Sequence, residues 1–216
     1  MRSTRRYAPA VGEATEVDVA AAERLTFFSD AVVAIAITLL AIELPVPSGA
    51  TTAEFVASLG AGSFEYLAFL ISFAVIANHW VAHHRVFRYV RKADGPLVAL
   101  NLFWLLLIVL TPFLTRILTE GDVGFVQFGM YAVAQAVQMT TFALMIVVLN
   151  RRGWLAPDAP RSLTTRGWVN SMVAASGFLI SLPFFPLVGS WAFAVWALVP
   201  MVGDRLLKRG GVMVGD

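Results

Sequence analysis

Residues 24–44 read RLTFFSDAVVAIAITLLAIEL and place Ser29 and Asp30 at the start of an apolar run. The run from Leu25 to Leu44 is close to the roughly 20 residues that an α-helix needs to cross a bilayer. An ionised aspartate inside such a helix costs about 3 kcal/mol even on a mild insertion scale. The stretch therefore predicts a transmembrane helix whose acid has either a stabilising partner or a function.

The composition of the whole chain is typical of a polytopic membrane protein. Apolar residues make up 58% of its 216 residues and charged residues only 14%, which is too little charge to cover a soluble domain. We predict an all-α fold with six spans, over about residues 25–44, 64–84, 97–115, 123–149, 167–182 and 187–202. Pro112 is expected to kink or end the third span. Pro183 and Pro186 are expected to break the fifth and to form a tight hairpin with the sixth.

Basic residues indicate how the spans are oriented. Every Lys and Arg except Arg116 falls before span one, between spans two and three, between spans four and five, or after span six. The positive-inside rule then places both termini in the cytoplasm. We predict a tail over 1–22, a membrane domain over 23–204 and a second tail over 205–216, in an inner, cell membrane. The basic residues favour contact with anionic membrane lipid, and we expect no nucleic-acid partner.

One face of the first span carries a regular apolar stripe. Ile35, Thr38, Leu39 and Ile42 follow the i, i+3, i+4, i+7 spacing of a helix face, and Ala31 and Ala34 extend it. Such a stripe is most often a helix-packing seam, but it is also the pattern of a pore wall with apolar rings. Glu43, at the outer end, is either a solvated end charge or a group that attracts cations to a pore mouth.

Polar residues in the first three spans form the second group of candidates. Ser29 and Asp30 fit equally a packing network and an ion or proton site. His79 and His83 have the spacing of two metal ligands, but no third ligand is evident nearby, which favours hydrogen bonds across the helix interface over a metal site. Asn101 needs a partner on another helix. No catalytic motif emerges, so an enzyme is not expected.

Three motifs in order resemble those of bacterial potassium channels of the transmembrane protein 175 family. The first is Arg24-x-x-x-Phe28-Ser29-Asp30 with the following AVVAIAITLL. The second is Trp80-x-x-His83-His84-x-x-Phe87, and the third combines Asn101-Leu102 with Pro112-Phe113-x-Thr115. The similarity covers spans one to three, and the six-helix layout agrees over the whole chain.

The resemblance implies a homotetramer with span one around a central potassium-preferring pore that needs no cofactor. It implies constrictions at Ile35, Leu39 and Ile42, with Thr38, Ala31 and Ala34 along the pore. It also implies a structural polar network behind the pore helix, made of Arg24, Phe28, Ser29, Asp30, His79, Trp80, His83 and Asn101. Two alternatives remain at this point, a small proton-coupled secondary transporter and a non-conducting membrane scaffold.

Overall fold

The structure is a computed structural model that describes residues 14–160, 162–163 and 167–209, with only the backbone at 204 and 207–209. It is built from helices. They are α1 (Glu16–Ile42), α2 (Thr52–Ala61), α3 (Ser63–Phe87), α4 (Gly95–Thr119), α5 (Phe125–Arg152), α6 (Gly167–Val188) and α7 (Phe193–Arg209), with a 3₁₀ turn (Gly189–Ala192) before α7. Within the described ranges, the β pairing is a single bridge between Val90 and Leu155.

Among the described residues, five helical segments are long and apolar enough to cross a membrane, and the fifth runs from Gly167 to Gly203. This segment folds back on itself. Gly189 has a φ of 57°, a left-handed conformation that glycine adopts without strain. Beyond it, Trp196 of α7 donates a hydrogen bond of 2.8 Å to Ser181 of α6. The segment is therefore an antiparallel hairpin, and the described part of the chain contains the six membrane helices that the sequence predicts.

The expected break at Pro183 and Pro186 is wrong. Helix α6 contains both prolines and continues to Val188, so the turn of the hairpin lies at Gly189 instead. Helix α4 likewise does not end at Pro112 but runs on to Thr119. A proline removes one backbone donor, and in membrane helices nearby Ser and Thr hydroxyls occupy the freed groups. Here Pro112 leaves the carbonyl of Ile108 without its usual donor, and the hydroxyl of Thr111 donates to the neighbouring carbonyl of Leu107 at 3.0 Å.

Helix α1 starts inside the segment that the sequence analysis assigned to the N-terminal tail. Thr15 and Asp18 form a capping box, with the Asp18 amide donating to Thr15 Oγ1 at 3.2 Å. Twenty-seven residues give a length of about 40 Å, longer than the roughly 30 Å hydrocarbon core. Residues 1–13 and 210–216, which hold most of the predicted tails, lie outside the described residues.

The short helix α2 was not predicted. It follows a Pro- and Gly-rich loop and begins with a second capping box, in which Thr51 accepts from the Glu54 amide. The Thr-x-x-Glu spacing is a readable helix-start signal. None of its residues is buried.

Candidate functional site: the first helix and its polar support

Helix α1 has two opposite faces. One face is buried against the rest of the subunit, mainly α3 and α4. Its members recur every three or four residues and are Ala22, Thr26, Ser29, Val33, Ala36 and Leu40. The opposite face has no partner within the described part of the chain, and it contains Ala31, Ala34, Ile35, Thr38, Leu39 and Ile42.

The uncovered face is apolar through most of the membrane. Ile35, Leu39 and Ile42 are 59%, 39% and 74% exposed. The hydroxyl of Thr38 donates to the carbonyl of Ile35 at 2.8 Å, so it is bonded within its own helix. The helix therefore presents a stripe of branched side chains to the surroundings of the chain.

A hydrogen-bonded chain attaches the buried face of α1 to α4 and α3. Asn101 Nδ2 donates to Ser29 Oγ at 2.8 Å, and Asn101 Oδ1 accepts from His83 Nε2 at 2.9 Å. Ser29 Oγ in turn donates to the carbonyl of Leu25 at 2.8 Å. All three side chains are fully buried. The amide of Asn101 thus uses one donor and its acceptor to connect two helices to its own.

Among the described residues, the side-chain partners of Asp30 lie on α3. Trp80 Nε1 donates to Asp30 Oδ1 at 2.9 Å, and His84 Nδ1 lies 3.8 Å from Asp30 Oδ2. The Asp30 side chain is 29% exposed. The indole donor and the adjacent imidazole offset part of the cost of placing an acid in a membrane helix.

Aromatic rings enclose the imidazole of His83. It stacks on Phe87 with ring centroids 3.8 Å apart and on Trp104 with centroids 4.6 Å apart. The two stacks fix the plane of the ring from both sides. His83 therefore presents its Nε2–H to Asn101 in one defined orientation.

Two further polar layers connect α3, α4 and α5 beyond this first one. In the middle layer, His79 Nε2 lies 3.0 Å from Gln135 Oε1, and Gln135 Nε2 donates to Thr111 at 3.3 Å. In the last layer, Ser72 shares a hydrogen bond of 3.0 Å with Tyr131, and Thr115 donates to Ser72 at 2.8 Å. Each helix contributes one residue to each layer, so the layers fix the register of three helices.

An ion pair lies at the opposite end of α1 from Asp30. Arg116 Nη1 of α4 is 3.1 Å from Glu43 Oε2, and both side chains are solvent-accessible. At the first turn of α1, Asp18 Oδ2 lies 3.5 Å from Lys92 Nζ. Asp94 forms a further ion pair with Arg152. Arg116 thus neutralises part of the charge of Glu43.

The structure brings together most of the side chains predicted for the network. Ser29, His83 and Asn101 form one cluster, Asp30 and Trp80 form its neighbour, and His79 belongs to the middle layer. Arg24 is exposed and makes no hydrogen bond or ion pair with the described residues, and Phe28 is 52% exposed. These two lie outside the clusters.

Four residues of these layers, Ser72, Thr111, Tyr131 and Gln135, were not predicted as site residues, and Thr115 was noted only as part of the third motif. Only the regular four-residue spacing of Thr111 with Thr115, and of Tyr131 with Gln135, could have indicated shared faces. His79 and His83, the candidate metal ligands, form hydrogen bonds with different residues, His79 with Gln135 and His83 with Asn101. Among the described residues, no group of three His, Asp or Glu side chains gathers around them.

Comparison with known proteins gives a consistent result. Residues 24–112 match the family model described as the endosomal/lysosomal potassium channel TMEM175. A potassium channel of Streptomyces collinus is 35% identical over 150 residues, which are 66% of this chain and 73% of that protein. A potassium channel of Chamaesiphon minutus is 38% identical over 145 residues, which are 66% of this chain and 70% of that protein.

A solved structure extends the similarity beyond the matched motifs. The crystal structure of a lysosomal potassium-selective channel TMEM175 homolog from Chamaesiphon minutus superposes with a TM-score of 0.68. The two sequences are 27% identical, and the match covers 85% of this chain and 96% of that one. The six-helix fold, the α1 motif and its two partner motifs together show that this chain belongs to the TMEM175 channel family.

Proposed function

We propose that the chain is a potassium-preferring cation channel in which the α1 helices of a homotetramer surround the pore. Its relatives in Streptomyces collinus and Chamaesiphon minutus carry the name potassium channel. Conduction is passive: no bond is made or broken and no cofactor takes part. Potassium ions, membrane lipid and the other three subunits are its partners.

One observation carries this proposal, the uncovered apolar stripe of α1. Its opposite face is bonded to α3 and α4 through Asn101 and Trp80, so α1 is held in place while the stripe stays free. A helix whose exposed side has evenly spaced Ile35, Leu39 and Ile42 is suited to form stacked apolar rings when copies meet at an axis. Such rings restrict a pore and hold back hydrated ions.

The tetramer follows from the family resemblance together with this geometry. A single α1 offers only one narrow face and encloses no pathway. Closed cyclic symmetry repeats the same face around an axis, and four copies would place four Ile35 side chains at one level. Ala31 and Ala34 are small and leave a wider vestibule on the Asp30 side.

The main barrier for an ion lies at the Ile35 ring. Apolar side chains offer no oxygen to replace a hydration shell, so the cost of partial dehydration controls passage. Potassium holds its water less tightly than sodium and passes more readily. Leu39 and Ile42 add further rings, and Thr38 lies one turn beyond Ile35.

Charge supports a cell-membrane orientation with both termini in the cytoplasm. Lys92 and Arg152 lie near the start of α1, on the side that the positive-inside rule assigns to the cytoplasm. Arg116 and Glu43 then lie on the outer side. In this orientation the short helix α2 is also on the outer side.

The test is potassium flux into liposomes that contain the purified chain, driven by an imposed voltage with no pH gradient. Flux under these conditions supports a channel, flux only with a proton gradient would instead indicate a coupled transporter, and no flux would indicate a scaffold. Ala34→Trp should abolish the flux by filling the pore. Ala197→Trp, on the exposed side of α7, is the matched control and should retain it.

A further inference from the structure

An apolar cavity of about 290 Å³ lies between α3 and the α6–α7 hairpin, and no residue of α1 lines it. Its wall includes Leu67 and Ala68 of α3, Leu118 of α4, Tyr131 of α5, and Ala194 and Trp196 of α7. Helix α7 packs on α6 and on its own turn, but not extensively on α3. The cavity is the space that this arrangement leaves between α3 and α7.

The buried polar groups at the floor of the cavity have hydrogen-bond partners within the protein. Two buried hydroxyls reach it, those of Ser72 and Tyr131; they bond to each other at 3.0 Å, and Thr115 donates to Ser72. The third hydroxyl in the lining, that of Ser190, is on an exposed residue of the hairpin turn. The indole N–H of Trp196 is bonded to Ser181. Because the buried polar groups already have partners, they do not need water. An apolar cavity of this kind excludes water and favours hydrocarbon.

The mouth of the cavity lies at a depth in the bilayer where a lipid acyl chain can enter. Leu67 and Trp191 border it and are 53% and 82% exposed. In a chain with these membrane helices, the medium beside such side chains is the bilayer. Trp191 lies on the hairpin turn, and tryptophan is enriched where acyl chains meet the headgroups. The opening therefore lies where an acyl chain enters the hydrocarbon.

We propose that this cavity is a binding site for one acyl chain of a membrane phospholipid from the outer leaflet. A dry apolar cavity of about 150 Å³ is enough to bind benzene, so this one accommodates a longer hydrocarbon segment. The bound chain supplies packing that α7 does not obtain from α3. The site is a property of each subunit and does not depend on ion conduction.

The test uses the full chain in phosphatidylcholine liposomes that contain a small fraction of phosphatidylcholine with a diazirine in mid-chain. After illumination, labelled residues are identified by mass spectrometry and normalised to the total label on the protein. Label is expected on Leu118 and Tyr131, which line the cavity and are only 3% and 0% exposed. No label on either residue overturns the proposal, including the case in which a neighbouring subunit covers the mouth.

A pair of variants separates cavity binding from general contact with lipid. Ala194→Phe places a ring in the wall and should lower the label on Leu118 and Tyr131 roughly tenfold, a factor that corresponds to about 1.4 kcal/mol of binding free energy. Ala197→Phe adds the same ring to an exposed position of α7 outside the cavity and should leave the label unchanged. Equal labelling in the two variants would contradict the assignment.

Discussion

The side-chain amide of Asn101 donates to Ser29 Oγ at 2.8 Å and accepts from His83 Nε2 at 2.9 Å. This one residue of α4 therefore connects the helix that carries the uncovered stripe to the helix that carries the histidines. With the bond from Trp80 to Asp30, it gives α1 two polar attachments at the same end. The position of the stripe depends on these attachments.

Asn101→Leu should destabilise the subunit by about 1–3 kcal/mol, because His83 Nε2–H then remains buried without an acceptor. The measurement is thermal unfolding of the purified protein in detergent. Asn78→Leu is the control, since Asn78 is exposed and bonds only to the carbonyl of Ala74 in its own helix. Similar melting temperatures for the two variants would exclude Asn101 as a structural link.

Asp30→Ala should reduce assembly more than it alters ion preference. The variant leaves Trp80 Nε1 without its acceptor and loosens the inner end of α1. Light scattering after size exclusion measures assembly, and reversal potentials in mixed potassium and sodium solutions measure preference. Asp30→Asn keeps an oxygen for Trp80 and should assemble normally. Normal assembly of Asp30→Ala with a changed reversal potential would place Asp30 at the ion instead.

Ile35→Asn should raise single-channel conductance and weaken the preference for potassium over sodium. An amide offers hydrogen bonds to a hydrated ion and lowers the dehydration barrier of the apolar ring. Bilayer recordings measure both effects. Ile180→Asn, on an exposed position of α6, should leave both unchanged. If Ile35→Asn behaves as the parent chain does, the barrier lies elsewhere.

Arg116→Gln should increase cation conductance at low ionic strength. Arg116 lies 3.1 Å from Glu43, and its removal leaves an uncompensated carboxylate near the outer mouth of the pathway. The gain should shrink at high salt, because the Debye length falls from about 30 Å at 0.01 M to about 3 Å at 1 M. It should disappear in the double variant with Glu43→Gln. A gain that persists at high salt or without Glu43 would have another cause.

Patterns within one helix were readable from the sequence. The order of the six membrane helices and the stripe from Ala31 to Ile42 follow from apolar run lengths and helical spacing. The α6–α7 hairpin was expected from Pro183 and Pro186, but its turn lies at Gly189 instead. The need of Asn101 for a partner on another helix followed from its isolation in an apolar run. The structure supplies those partners, Ser29 and His83.

Contacts between helices could not be predicted from helical spacing or apolar run length. Pairing Ser72 with Tyr131 requires knowing that α3 and α5 are neighbours and in which register, and neither hydroxyl stands out in its own helix. The expected break at Pro183 failed because hairpin packing keeps α6 helical despite a lost donor. Arg24 was expected in the network because of its place in the motif, yet its side chain lies on an exposed part of α1.

Cysteine modification tests whether the uncovered face of α1 lines the ion pathway. The chain has no cysteine, so a single Thr38→Cys is the only target for a positively charged thiol reagent. The reagent should block potassium current through Thr38→Cys and leave current through Leu102→Cys, exposed on α4, unchanged. Unblocked current through a fully modified Thr38→Cys would show that this face of α1 does not line the pathway.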